Sequence, residues 1–140
     1  MAVKSGYRRA LDIRRGVVDM THGSGGRATA DLIRELFAKH FSNDYLNEGH
    51  DGAVMPPLTN PVAVSCDAHV VKPLFFPGGD IGSLAVCGTV NDVAVCGARP
   101  LYIAATFILE EGFPLADLDR IVASMAEAAR EAGVLVIPHP

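Results

Sequence analysis

Ile81-Gly-Ser-Leu-Ala-Val-Cys-Gly-Thr-Val-Asn-Asp-Val-Ala-Val-Cys96 is the stretch on which the fold turns. It is apolar almost all round and is interrupted in its second half by Thr89, Asn91 and Asp92. The pattern predicts a helix that ends at Gly97, a residue suited to a C-cap. Ala85, Gly88 and Ala94 are small enough for close packing against a sheet. A helix this apolar is expected to be buried on most sides.

The flanks supply the rest of the architecture. Downstream, Leu101 to Leu109 reads as a largely apolar strand. Pro114 then opens an amphipathic helix with Leu115, Leu118, Ile121, Val122 and Met125 on one stripe. Gly133 ends that helix, and Val134 to Ile137 begins another strand. Upstream, Lys72 to Gly79 is a loop rich in Pro and Gly, and Val62 to Val71 alternates as a strand does. Residues 42 to 61, broken by three prolines, form a long loop with room for one short strand. Arg27 to Phe41 repeats apolar residues at helical spacing and is launched from His22-Gly-Ser-Gly-Gly26. Helix and strand alternate throughout, which predicts an α/β (α+β) domain: a mixed β-sheet covered by helices.

A length of 140 residues suits one domain. Apolar residues make up 49% and charged residues 20%, so a packed core is expected and disorder is not. The net charge of −4 lacks the basic footprint of a nucleic-acid binder. No apolar run approaches the roughly 18 residues of a membrane span. Cys66, Cys87 and Cys96 show no metal spacing and read as small hydrophobes in a reducing, cytoplasmic setting. Residues 1–16 carry Lys4, Arg8, Arg9, Arg14 and Arg15 against Asp12 and read as a basic, flexible leader. The domain is expected to occupy residues 17–140.

Several residues could carry chemistry. The Gly23, Ser24, Gly25, Gly26 loop before a helix offers backbone N–H groups to an anion, though a plain capping turn would use the same residues. It ends in Arg27-Ala28, so it is not a Walker loop. Asp51 lies in a glycine-containing loop, Asp67 interrupts an apolar strand and Asp92 an apolar helix. A carboxylate among apolar neighbours is costly unless hydrogen-bonded or bound to a hard cation such as Mg²⁺. Asp67 and Asp92 are therefore structural acceptors or metal ligands. Lys72 can reach a phosphate or simply be solvated; Glu110 and Glu111 can act as a base or lie exposed. His22 and His69 could hydrogen-bond a ligand, although isolated histidines seldom do.

Taken together, the segments resemble the HypE family of hydrogenase maturation proteins, from the superfamily of aminoimidazole ribonucleotide synthetase and selenophosphate synthetase. The residues that carry the likeness are His22-Gly-Ser-Gly-Gly26, His50-Asp-Gly-Ala-Val54 and Ser65-Cys-Asp-Ala-His-Val70. Lys72-Pro-Leu-Phe-Phe-Pro-Gly-Gly-Asp-Ile-Gly82, Gly88-Thr-Val-Asn-Asp-Val-Ala-Val95 and Phe107-Ile-Leu-Glu-Glu-Gly112 extend it. The resemblance implies a domain that pairs sheet to sheet in a homodimer and binds ATP with Mg²⁺ near that interface. It makes Asp51, Asp67 and Asp92 the metal and phosphate residues, with Asn91 as their companion and the Gly23–Gly26 loop as a cover. The implied activity is carbamoyl dehydration: HypF loads a carbamoyl group onto a C-terminal cysteine, and ATP converts the thiocarboxamide to a thiocyanate. That group becomes the cyanide ligand of the [NiFe]-hydrogenase iron, with the HypC–HypD complex as a further partner.

Two departures qualify the likeness. His50 stands where an acid often precedes the matching aspartate, which weakens the case for metal at Asp51. Pro138-His139-Pro140 replaces a Gly-Asp-Thr-Lys-Val motif, and the second domain with its terminal cysteine is not in the sequence. A chain truncated in this way is expected not to complete the reaction. A non-catalytic dimerisation or partner-binding module, or another ATP-using synthetase or kinase of the superfamily, remain the alternatives.

Overall fold

The structure, a computed structural model, describes residues 10–138. A 3₁₀ turn at Met20–Gly23 leads into a continuous helical run: α1 (Arg27–Leu32), a π-helical segment (Ile33–Phe37) and α2 (Ala38–Phe41). The short α3 (Asp44–Asn47) follows, then β1 (Phe75–Phe76), β2 (Gly79–Asp80), α4 (Ile81–Val95), β3 (Tyr102–Ala104), α5 (Leu115–Ala132) and β4 (Leu135–Ile137). β1 and β2 form an antiparallel hairpin. β3 and β4 are parallel, with Ile103 opposite Val136, and α5 is the crossover that parallel pairing demands. The α/β class holds, with the sheet represented by two separate pairs of strands.

The centre of the core is α5. Its expected stripe is buried, and Ala128 and Ala129 extend it. Fully burying each large member contributes roughly 1.5–3 kcal/mol before entropy is counted. Against the stripe pack Leu32 and Leu36 from the first helical run, Val86 from α4, and Ile103, Val134 and Val136. Phe37 and Phe107 meet at 4.8 Å between ring centroids. Gly133, with φ of 68°, closes α5 in the left-handed conformation that glycine adopts freely.

Asp80 starts α4. Its buried carboxylate accepts from the N–H of Gly82 (2.8 Å) and of Ser83 (3.1 Å), while its own N–H donates to Ser83 Oγ at 3.1 Å. This reciprocal box satisfies donors that the first helical turn cannot pair internally. Asp80→Ala is expected to cost about 1–2 kcal/mol, read as a lower urea midpoint at unchanged slope. A midpoint equal to wild type would mean that the box adds nothing.

Six expectations need correction. The loop expected over 72–79 holds β1 and the start of β2, because the turn at Pro77-Gly78 folds the two back on each other as a hairpin. Residues 62–71 form no strand; they run past α4 without a backbone ladder, because no other segment among the described residues pairs with them. The strand expected over 101–109 is confined to Tyr102–Ala104, the length over which β4 runs beside it. The loop over 42–61 holds α3 and no strand, since Asn43 accepts from Tyr45 and Leu46 and so caps a helical turn. Only Gly82 and Val86 of α4 are buried, so one side packs on α5 while much of its remaining apolar surface is open. Cys66, Cys87 and Cys96 are exposed, which follows from the same open surface.

Of the expected leader, residues 1–9 lie outside the described residues. Residues 11–16 are tied down: the Leu11 N–H donates to Glu35 Oε2 at 2.7 Å, and the Gly16 carbonyl accepts from the Leu115 N–H at 3.0 Å. The Leu11 and Arg34 contacts hold the Glu35 carboxyl below its usual pKa.

Candidate functional site

The acidic candidates are arranged around one face of α4. Residues 65–69 run beside that helix, with the side chains of Ser65 and His69 against it. The Ser65 hydroxyl donates to Asp92 Oδ2 at 3.2 Å. The His69 ring lies over Gly88, where an added Cβ would come within 2.5 Å of Nε2. Gly88 and Asp92 are one helical turn apart, so they share that face. His69 Nε2 in turn lies 3.2 Å from Asp67 Oδ2, and the Ala68 N–H donates to Asp67 Oδ1 at 2.8 Å. Asp67 and Asp92 thus belong to one polar strip, each half-satisfied by protein and open to solvent.

The even-numbered positions of the same segment face away. Val62, Val64, Cys66, Ala68 and Val70 are all exposed, Val64 at 87% and Val70 at 97%. Among residues 62–70 only the polar Ser65 and His69 are partly buried, while every apolar side chain is exposed.

The other candidates stand apart from this strip. Asp51 is in an exposed bend, and its side chain makes no hydrogen bond or ion pair among the described residues. Among the described residues no three His, Cys, Asp or Glu side chains gather into a group that could hold a metal ion, so Asp51, Asp67 and Asp92 are not drawn together as a triad. The backbone explains this: the segment from 48 to 74 has no strand partner to fix its path. Asn91 is exposed beside Asp92 on α4, and Lys72 is exposed just before β1.

The glycine loop is a capped turn. Asp19 accepts from the Thr21 hydroxyl and N–H, which hold its carboxyl below the usual value, and its own N–H donates to His22 Nδ1 at 3.0 Å. The Ser24 N–H is engaged by the Thr21 carbonyl and the Gly25 N–H by Thr29 Oγ1 at 3.1 Å. Gly26 is the N-cap of α1 and carries no side-chain cap, so the helix start itself still faces outward. Among the described residues no hydrogen bond or ion pair joins the loop Gly23–Gly26 to the strip on α4.

Two shallow hollows, of about 590 and 230 Å³, are lined by none of the expected site residues. Ser65 and Gly88 were not among the expected site residues, and His69 was weighed only as an isolated histidine. The Asp67-x-His69 spacing puts those two on one side of an extended segment, but nothing local in the sequence ties Ser65, His69 or Gly88 to Asp92. Among the described residues no helix is long and apolar enough to cross a membrane.

Comparison with known proteins gives the family of the chain. Residues 49–138 match the family described as AIR synthase related protein, N-terminal domain. Carbamoyl dehydratase HypE of Cupriavidus necator is 62% identical over 136 residues, covering 96% of this chain. The chain spans only 39% of that relative's length. A crystal structure of hydrogenase maturation protein HypE in complex with ATP superposes with a TM-score of 0.78 at 53% identity, over 85% of this chain and 37% of that one. A chain of a HypE–HypF complex matches with a TM-score of 0.56 at 55% identity, over 77% of this chain and 34% of that one.

Proposed function

The chain belongs to the AIR synthase related protein family, as an N-terminal domain, and from that premise we propose that it is the ATP-binding and dimer-forming half of a HypE-type carbamoyl dehydratase. The polar strip on α4 carries this reading. Two carboxylates, Asp67 and Asp92, lie on one strip, accepting from the Ala68 N–H and the Ser65 hydroxyl, and neither pairs with Lys or Arg among the described residues. Mg²⁺ commonly takes one or two protein carboxylates and completes its shell with phosphate oxygens and water, so this donor set fits without a third acid. Asp51 is assigned to the same ligand set on the likeness to HypE alone.

In this reading Asp67 and Asp92 hold the cation. Asn91 and Lys72 bind phosphate oxygens, Lys72 as a point charge. The Gly23–Gly26 turn and the uncapped start of α1 cover the nucleotide. When bound, Mg²⁺ would offset the negative charge that moves onto the departing phosphate. The likeness to HypE supports dehydration of a carbamoylated cysteine to a thiocyanate, for the cyanide ligand of a [NiFe]-hydrogenase. It also supports HypF as the carbamoyl donor and HypC–HypD as later partners. The outward apolar face of residues 62–70 supports a homodimer, since a second copy would cover it.

Calorimetric titration with Mg-ATP tests the site. Asp92→Asn is expected to weaken binding at least about tenfold relative to wild type, at unchanged thermal stability, since a ligand charge is lost while the hydrogen bond from Ser65 is retained. Identical heats from the two proteins, or none from either, would favour the alternative reading of a purely dimerising module.

A further inference from the structure

His69 is the one histidine on the polar strip, and neither the family assignment nor the nucleotide reading gives it a task. Its side chain is 14% exposed, against 43% for Asp67. One side of the ring rests on Gly88, where a Cβ would collide with it. Its Nε2 faces Asp67 Oδ2 at 3.2 Å. The Ala68 N–H occupies the other oxygen of the same carboxylate. A carboxylate on an extended segment without ladder hydrogen bonds would otherwise rotate freely about its side-chain bonds, which costs entropy on binding a cation.

We propose that His69 is a positioning residue for Asp67: with Nε2 seated in the notch left by Gly88 and 3.2 Å from Asp67 Oδ2, the ring holds that carboxylate beside the helix α4 that carries Asp92. The inference rests on the reading of Asp67 and Asp92 as ligands of the nucleotide's cation. Two features make it specific. The ring is close to one carboxylate oxygen while Asp67 stays 43% exposed, so the carboxylate remains open to a cation. The notch exists only because residue 88 has no side chain, so ring position and carboxylate position are set together. Outer donors that orient a metal-binding carboxylate typically change metal affinity by about 10–100-fold when removed.

Manganese stands in for magnesium in the test, because its paramagnetic resonance spectrum reports free and bound cation directly. The 140-residue chain is titrated with Mn²⁺-ATP as wild type, Asp67→Asn, His69→Phe and His69→Gln. Phenylalanine fills the notch without a donor; glutamine restores an N–H donor of similar reach. His69→Phe is expected to bind Mn²⁺-ATP about tenfold more weakly than wild type, and His69→Gln to recover to within about threefold. Thermal unfolding is followed in parallel, and the midpoints are expected to stay together. Should His69→Phe unfold early, Gly88→Ala displaces the ring while keeping the imidazole, and the same loss of affinity is expected there.

Wild-type affinity in His69→Phe, or in Gly88→Ala where that variant is needed, overturns the proposal. So does His69→Gln binding as weakly as His69→Phe. If Asp67→Asn binds like wild type, or wild type does not bind, the nucleotide-site reading itself falls and takes this inference with it. If Asp67→Asn loses affinity and His69→Phe does not, the site stands and only the role of His69 is lost.

Discussion

Gly82→Ala is expected to destabilise the fold by about 3 kcal/mol, the upper part of the range for overpacking a tight contact. Gly82 is buried in the first turn of α4, where a Cβ would overlap the Ile121 carbonyl oxygen of α5. The obstacle is backbone, so no rotamer change can relieve it. The two helices must separate, and Val86 would then lose contact with the stripe of α5 that it helps to bury. The same methyl would lie 3.1 Å from Asp80 Oδ1 and crowd the cap of α4 as well. For a domain of this size the loss corresponds to a drop of about 10 °C in unfolding midpoint. Gly88→Ala is the contrast: its neighbour is the His69 ring, which can move, so stability should change by well under about 1 kcal/mol. Equal midpoints for Gly82→Ala and wild type would show that the helix crossing is looser than described.

Val64→Lys combined with Val70→Lys is expected to convert the chain from dimer to monomer. Both side chains are exposed in the single chain, so neither substitution touches the core. In a dimer formed over this face, each lysine would be buried without a partner, at a cost of several kcal/mol. A combined penalty of about 4 kcal/mol weakens association about a thousandfold. Light scattering on the wild type should give twice the chain mass of 14.8 kDa, and the double variant the chain mass alone. Unfolding midpoints extrapolated to low protein concentration should then agree between the two. A wild type that is monomeric at every concentration, or a double variant that still dimerises, would remove the apolar face of residues 62–70 as the interface.

The two predictions address the places where sequence and structure part. The helical stripe of α5 was legible because 3.6-residue spacing is a local property, and Leu115, Leu118, Ile121, Val122 and Met125 are all buried as the spacing requires. Gly133 was legible for the same reason: a left-handed cap is one residue's backbone preference. Residues 62–71 were different. Their alternation is real, but a strand is defined by a neighbour, and none of the described segments supplies one. The burial expected for α4 failed on the same ground, since apolar composition says that a surface should be covered without saying by what.

The candidate site divides likewise. Asp67 and Asp92 stood out because isolated carboxylates in apolar runs need a partner, and that reasoning applies before any fold is known. Ser65, His69 and Gly88 become meaningful only when the extended segment is laid along α4. Serine next to aspartate 27 positions away, or a histidine over a glycine 19 positions away, leaves no periodic trace in the sequence.

By itself, then, the order of residues determined the three longer helices, the inward stripe of the last of them, its left-handed cap and the short roster of acids able to serve a cation. Those depend on interactions within a few residues along the chain. Tertiary structure alone decided which side of α4 meets α5, that Ser65 and His69 lie against α4, and which donor steadies each aspartate. Such outcomes depend on contacts between segments far apart in sequence, whose geometry is set by packing rather than by local preference.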